Sequence, residues 1–170
     1  PAHNTLTLDG KNSSNVWSSF RVAKRARILS SSISQKSNCL IIEASHDGFS
    51  TFNQKNIHKR KWFFHENMLR IQDRVEGKFN IVAVFFYLHP DIKVSKAKDS
   101  LVFYNCGEQV AVGRLKTKGN ILIEKSYWYP EFGKSIPNNC VKIETVGNTI
   151  DFNIMWGSTN FQAKEHRSFL

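Results

Sequence analysis

Three of the six histidines stand where an imidazole can do chemistry. His3 heads a short alternating stretch; alone it is a solvated or structural side chain, because a metal site needs further ligands. His46 precedes Asp47-Gly48, so it is either a base held by a carboxylate or a ring whose hydrogen bond closes a turn. The turn chemistry of Asp-Gly favours the second. His58-Lys59-Arg60-Lys61 is a dense cationic run. Period-two alternation sends His58 and Arg60 to one face and Lys59 and Lys61 to the other, so only half of it can share a surface. Arg21, Arg25 and Arg27 alternate in the same way and join that run as candidate lining of a groove for an acidic sugar. Trp17, after the polar loop 12–15, and Tyr127-Trp128-Tyr129-Pro130 offer aromatic planes that either stack on a sugar ring or pack the ends of a core. For the tyrosine-tryptophan block, core packing or a lid is the simpler expectation.

Composition limits what this chemistry can serve. The chain has 170 residues, 41% hydrophobic and 12% aromatic, enough for one domain with its own core and too apolar for disorder. No apolar run approaches the roughly 20 residues of a membrane-spanning helix. A net charge of +10 suggests an acidic partner, or simply a means of keeping an aromatic-rich domain in solution. The basic residues are dispersed over many segments without a nucleic-acid reading motif, so nucleic acid is not the expected partner. Cys39, Cys106 and Cys140 form no C-x-x-C pattern and no disulfide framework; buried free thiols are expected, and the compartment stays open.

The elements that must position these side chains are almost all strands. Leu6 and Leu8 alternate with Thr5, Thr7 and Asp9 before Asp9-Gly10 turns the chain. Ile81–Leu88 is apolar at every position and reads as a central strand covered on both sides. Ile150, Phe152, Ile154 and Trp156 form one dry face of a last strand. Further strands are expected at 21–29, 39–45, 57–64, 67–73, 101–105, 109–115, 120–125 and 140–146, separated by turn formers such as Glu76-Gly77 and Gly147-Asn148. The lysine-rich segment 91–99 reads as a loop or a short surface helical turn. Ten or more short strands with no long 3.6-period segment predict an all-β fold, an antiparallel β-sandwich forming one domain over 1–170. A strand at the very start has no neighbour before it, so the chain is expected to be part of a longer protein.

Several of these residues carry a family resemblance. His3-Asn4-Thr5-x-Thr7-x-Asp9-Gly10-Lys11-Asn12-Ser13, followed by Trp17, Phe20-Arg21 and Ala26, resembles the C-terminal domain of heparinase II/III-like polysaccharide lyases. Ala44-Ser45-His46-Asp47-Gly48-Phe49 with Ile57-His58-Lys59-Arg60 is similar to the family's A-x-H-D-G-aromatic and H-R-R stretches. Asp73-Arg74-Val75-Glu76-Gly77, Leu88-His89-Pro90-Asp91 and Tyr129-Pro130-Glu131-Phe132-Gly133 resemble later blocks in the same order.

The resemblance implies a division of labour. Such lyases join an N-terminal (α/α) toroid to a C-terminal β-sandwich and cleave uronic-acid-containing polysaccharides by β-elimination in the cleft between them. The reaction needs a clamp on the uronate carboxylate and a tyrosine or histidine pair for proton transfer. In the family these come from the toroid and from a strand upstream of the His-Asn-Thr block, so no catalytic residue is expected in this chain and it should be inactive alone. The resemblance makes His3 one ligand of a zinc whose histidine and aspartate partners lie upstream. Zinc is therefore expected in the longer protein and not on this chain alone. Arg21, Arg25 and Trp17 are the substrate-binding candidates. The expected partners are an acidic polysaccharide, such as a glycosaminoglycan, and the toroid; the setting implied is periplasmic or extracellular, with the bacterial cytoplasm as an alternative. A rival function is a non-catalytic module that binds acidic glycan, or serves assembly, in surface-polysaccharide metabolism.

Overall fold

The computed structural model describes residues 3–17, 21–98 and 100–157, apart from the side chains of residues 15–17. Among these residues there is no helix, and fourteen strands account for nearly all the regular structure. In chain order they are β1 (Leu6–Leu8), β2 (Asn15–Trp17), β3 (Arg21–Lys24), β4 (Ile28–Lys36), β5 (Cys39–His46), β6 (Ile57–His65) and β7 (Met68–Glu76). There follow β8 (Val82–Tyr87), β9 (Ile92–Ala97), β10 (Ser100–Asn105), β11 (Glu108–Leu115), β12 (Asn120–Trp128), β13 (Ile136–Thr145) and β14 (Thr149–Trp156).

The strands build two antiparallel sheets, one of four strands in the order β1-β8-β13-β12 and one of eight in the order β4-β5-β6-β7-β14-β11-β10-β9. β2 and β3 form a separate two-stranded ribbon. The expected β-sandwich is thus present. Its core lies where alternating faces of the two sheets meet: Leu6 and Leu8 of β1, Val84 and Phe86 of β8, and Val141 and Ile143 of β13 oppose Ile71, Val75, Leu101, Ile150 and Phe152. Phe86 and Phe152 stack across the interface with ring centroids 5.4 Å apart. Each such large apolar side chain contributes about 1.5–3 kcal/mol on leaving water. Gly113 on β11 leaves room for this packing, since a Cβ there would lie 2.6 Å from the Phe152 ring.

Four expectations need correction. Segment 91–99 is a strand, β9, at the edge of the large sheet. Ile92 and Val94 alternate toward the core there, while the lysines that suggested a loop are what an exposed sheet edge carries. The strand expected over 21–29 is two strands, β3 and β4, because residues 25–27 leave the ladder and Arg27 bonds to Asp47 in the turn after β5. β4 was legible only at its start: all nine of its residues are exposed, so Ser30, Ser31, Ser32 and Ser34 show no apolar alternation. β8 is central in its sheet and fully dry on one face; on the other, Ala83 is buried but Phe85 and Tyr87 are only half-buried. Of the three free thiols only Cys140 is buried, while Cys39 is intermediate and Cys106 is exposed at a hairpin turn.

Candidate functional site

An open groove of about 890 Å³ lies where the β1–β2 loop, the 24–27 segment and the 47–56 loop converge. Local sequence dictates each wall. Asp9 (φ 49°) and Gly10 (φ 73°) form a tight turn of the type that needs two left-handed residues, closed by reciprocal backbone bonds between Leu8 and Lys11 (2.8 and 3.1 Å). Asp9 Oδ1 accepts the N–H groups of Asn80 and Ile81, both at 2.9 Å, which anchors the turn to the start of β8. The three walls meet at Gly48. A Cβ there would lie 2.7 Å from the Ser13 carbonyl oxygen and 2.8 Å from Ala26 Cβ, so only glycine lets the loops close on one another.

The groove is cationic. Lys11, Lys24, Arg25 and Arg27 line it, with Asp9 and Asp47 as its carboxylates. Both carboxylates are already used. Asp47 accepts the Arg27 N–H (2.9 Å) and holds the Arg27 guanidinium through Nε (3.0 Å) and Nη2 (2.9 Å), and these bonds hold its pKa below the usual carboxylate range. Lys24 Nζ donates to the Ser50 carbonyl. Phe52 stands on the rim with its side chain fully exposed.

Behind Phe49 of the groove, whose ring lies 5.7 Å from His46 and 6.4 Å from His58, runs a directional chain of polar groups that is buried at His58, Arg60 and Asp73. The Gly48 N–H donates to His46 Nδ1 (3.1 Å). That fixes the His46 proton on Nε2, which donates to His58 Nδ1 (3.0 Å). The His58 proton then lies on Nε2 and donates to Asp73 Oδ1 (2.6 Å). Arg60 grips the same carboxylate through Nε to Oδ1 (2.6 Å) and Nη2 to Oδ2 (2.9 Å), and its Nη1 donates to the Asn4 carbonyl (2.6 Å). Pairing of β5, β6 and β7 sets the spacing, with His46 opposite His58, His58 opposite Val75 and Arg60 opposite Asp73. Burial pushes His46 down to about 4, helped by the neighbouring His58. Burial alone would raise Asp73, but the Arg60 charge and the hydrogen bonds from His58 and Arg60 outweigh it and hold this carboxyl low.

This chain is a strut and not an acid–base pair. The His46 Nδ1 lone pair is taken by a backbone amide, and the other three ring nitrogens of His46 and His58 are bonded within the chain. Neither ring has a lone pair to take a proton from a ligand. Sequence reading placed His46 correctly as a ring closing the 46–48 turn and separated His58 and Arg60 from Lys59 and Lys61. It missed that His58 and Arg60 converge on Asp73. The available signal was that an aspartate fifteen residues after a buried-face histidine occupies the neighbouring strand of a hairpin.

The other sequence candidates scatter. His3 is exposed, with its carbonyl accepting the Thr5 N–H (2.8 Å). Among the described residues no three His, Cys, Asp or Glu side chains come together to hold a metal. His3 alone therefore does not make a tetrahedral zinc site, which would need ligands from outside these residues. Arg25 lines the groove; Arg21 opens β3 outside its wall and is exposed. Trp17 closes β2, and its side chain lies outside the described residues. Tyr127, Trp128 and Tyr129 pack no core: they are exposed on the β12–β13 hairpin, where the Trp128 ring lies 5.0 Å from that of His89.

Comparison with known proteins bears on this arrangement. The family model for the heparinase II/III-like C-terminal region matches residues 1–163. The chain belongs to the heparinase II/III-like family. Among solved structures, the heparan sulfate lyase HepC from Pedobacter heparinus superposes with a TM-score of 0.68 at 16% identity, covering 94% of this chain and 25% of that one. A heparinase III gene product superposes with a TM-score of 0.62 at 15% identity, over 89% of this chain and 23% of that one. These likenesses show the fold, and the chain spans about a quarter of each of those proteins. No curated protein sequence matches it.

Proposed function

We propose that this chain is the C-terminal β-sandwich of a lyase that cleaves a uronic-acid-containing polysaccharide by β-elimination, and that it forms a cationic wall against the glycan. The observation that carries this reading is a groove with four cations whose two carboxylates are both engaged, on a sandwich of the heparinase II/III-like family. A β-elimination develops negative charge beside the uronate carboxylate, and positive potential nearby lowers that cost. Proton transfer falls to groups outside this chain, because both imidazoles behind Phe49 are committed to the strut. In the longer protein Arg25 and Arg21 contact the glycan, Trp17 supplies a stacking plane, and His3 joins a zinc site completed by ligands from elsewhere.

The test uses a longer protein that contains this region. Incubated with uronate polysaccharides, it should generate the ultraviolet absorbance of an unsaturated uronate, while the 170-residue chain alone generates none. Turnover by the chain alone would overturn the division of labour. Tight stoichiometric zinc on the chain alone, lost in His3→Ala, would overturn the shared metal site.

The groove also favours a second reading, a non-catalytic acidic-glycan-binding module, since all its polar groups suit binding and none suits proton transfer. Retention of acidic glycan by the longer protein without any unsaturated product would select it.

A further inference from the structure

Lys11, Arg25 and Phe52 stand on or beside backbone held by hydrogen bonds, and among the described residues their side chains make no ion pair or ring contact. Lys11 closes the Asp9-Gly10 turn through both backbone groups, and its ammonium makes no ion pair among the described residues. Arg25 lies two residues before Arg27, whose N–H and carbonyl are bonded to Asp47 (2.9 and 3.2 Å), and beside Ala26, which is packed at Gly48. Its guanidinium likewise has no ion pair among the described residues, although Asp47 lines the same groove. Phe52 sits at the tip of the turn that Thr51 and Gln54 close by reciprocal backbone bonds (2.7 and 3.4 Å), with a relative exposure of 104%.

We propose that these three side chains form an anionic-saccharide subsite, with Lys11 and Arg25 on the charged substituent and Phe52 on the apolar face of a ring. The inference rests on the reading that this chain meets an acidic polysaccharide, and it assigns the contact to one groove. The chemistry matches the pattern of such a glycan, in which a charged group alternates with a flat array of C–H bonds. A guanidinium and an ammonium hold a carboxylate or sulfate by charge-assisted hydrogen bonds, and an aromatic ring covers the pyranose face. Lys24 and Arg27 take a different part. Their bonds to Ser50 and Asp47 tie the walls together and add positive potential without leading the contact. Pinned backbones reduce the ordering cost of binding. A groove of about 890 Å³ falls within the range of roughly 300–1,000 Å³ in which ligand sites lie.

A carboxylate and a sulfate offer the same charge to this subsite, so the experiment separates them. The 170-residue chain is titrated calorimetrically, at near-physiological salt, with a heparan sulfate hexasaccharide, an unsulfated polyuronate hexasaccharide, a neutral dextran and a single-stranded DNA oligonucleotide. At least one acidic glycan should bind, and dextran should not. Binding of the polyuronate assigns the carboxylate as ligand; binding of heparan sulfate alone assigns the sulfate. The Lys11→Ala/Arg25→Ala double variant should weaken binding at least about tenfold, as expected for lost charge-assisted contacts. Phe52→Ala should weaken it about threefold, and Lys118→Ala, in a separate lysine-lined groove, should leave it unchanged. Circular dichroism of each variant checks that the fold is kept.

Glycan binding that survives the double variant overturns the subsite and leaves the acidic-glycan reading standing. Equal losses in Lys118→Ala also overturn it, because they show attraction by net charge alone. Failure of the unaltered chain to bind either acidic glycan overturns the subsite together with the glycan contact assigned to this chain, while lyase activity of the longer protein is judged by its product. DNA binding as tight as the glycan, with the same sensitivity to the double variant, overturns the saccharide assignment.

Discussion

Two aspartate–arginine forks lie a short distance apart in sequence and differ in almost everything that matters energetically. Asp73 and Arg60 are both buried, at 2% and 8% side-chain exposure, and the carboxylate receives a third hydrogen bond from His58. Asp47 is also mostly covered at 14%, but its partner Arg27 is 84% exposed. The buried fork cannot lose one member without stranding a charge in the protein interior. The exposed fork exchanges protein contacts for water at little cost. The first is structural and the second is tunable: the interior polar chain ties β5, β6 and β7 together, and the exposed pair ties Arg27 to the turn after β5.

That contrast can be broken at several points. The largest effect is expected from Asp73→Asn or Arg60→Met, each of which strands part of the buried pair and should destabilise the chain by about 3–5 kcal/mol in denaturant unfolding. If either variant loses less than the exposed-fork variant, the strut does not carry the load assigned to it. Next comes Gly48→Ala, whose methyl would meet Ser13 and Ala26 at under 3 Å. It should cost about 1–3 kcal/mol by overpacking and should weaken glycan binding through the displaced walls.

The pH dependence sharpens the comparison further. His46 is depressed to about 4 in the fold, from an ordinary value of about 6.5 in the unfolded chain. The unfolded chain therefore binds the extra proton first, and stability should fall as pH drops from about 6.5 to about 4, levelling off below. Asp73, held low, adds a second loss at still lower pH, as acid protonates the carboxylate that the fold stabilises. Unfolding midpoints measured across this range should show the first phase in the unaltered chain and lose it in His46→Gln. The smallest effect belongs to the exposed fork. Asp47→Asn should leave the unfolding midpoint nearly unchanged, because its partner Arg27 exchanges the contact for water.

The sequence carried the fold further than the site. Alternation located β1 and β14 because every second residue on one face, Leu6 and Leu8 or Ile150 and Phe152, is an apolar side chain packed in the core, and an unbroken apolar run located β8. Such patterns failed where the asymmetry is absent: β4 is exposed on both faces, and β9 has only Ile92 and Val94 facing inward among lysines. In the site, the alternation of His58-Lys59-Arg60-Lys61 correctly split the cations between faces. Lys59 and Lys61 indeed pair outward with Glu76 and Glu43, both at 2.8 Å. What alternation cannot supply is the partner of the buried half, because strand register is a relation between segments and not a property of either.

By itself, then, the sequence determined an all-β sandwich, the tight turns at Asp9-Gly10 and His46-Asp47-Gly48, the free cysteines and the family. These follow from local backbone chemistry and from periodic burial, which are written residue by residue. Only the tertiary structure decided that His46, His58, Asp73 and Arg60 are one chain of hydrogen bonds ending on Asn4. It alone brought Lys11, Arg25 and Phe52 into one groove. The physical reason is that a buried charge is tolerable only when its partners arrive from other strands. The groove, likewise, exists only where loops distant in sequence close on a residue as small as Gly48.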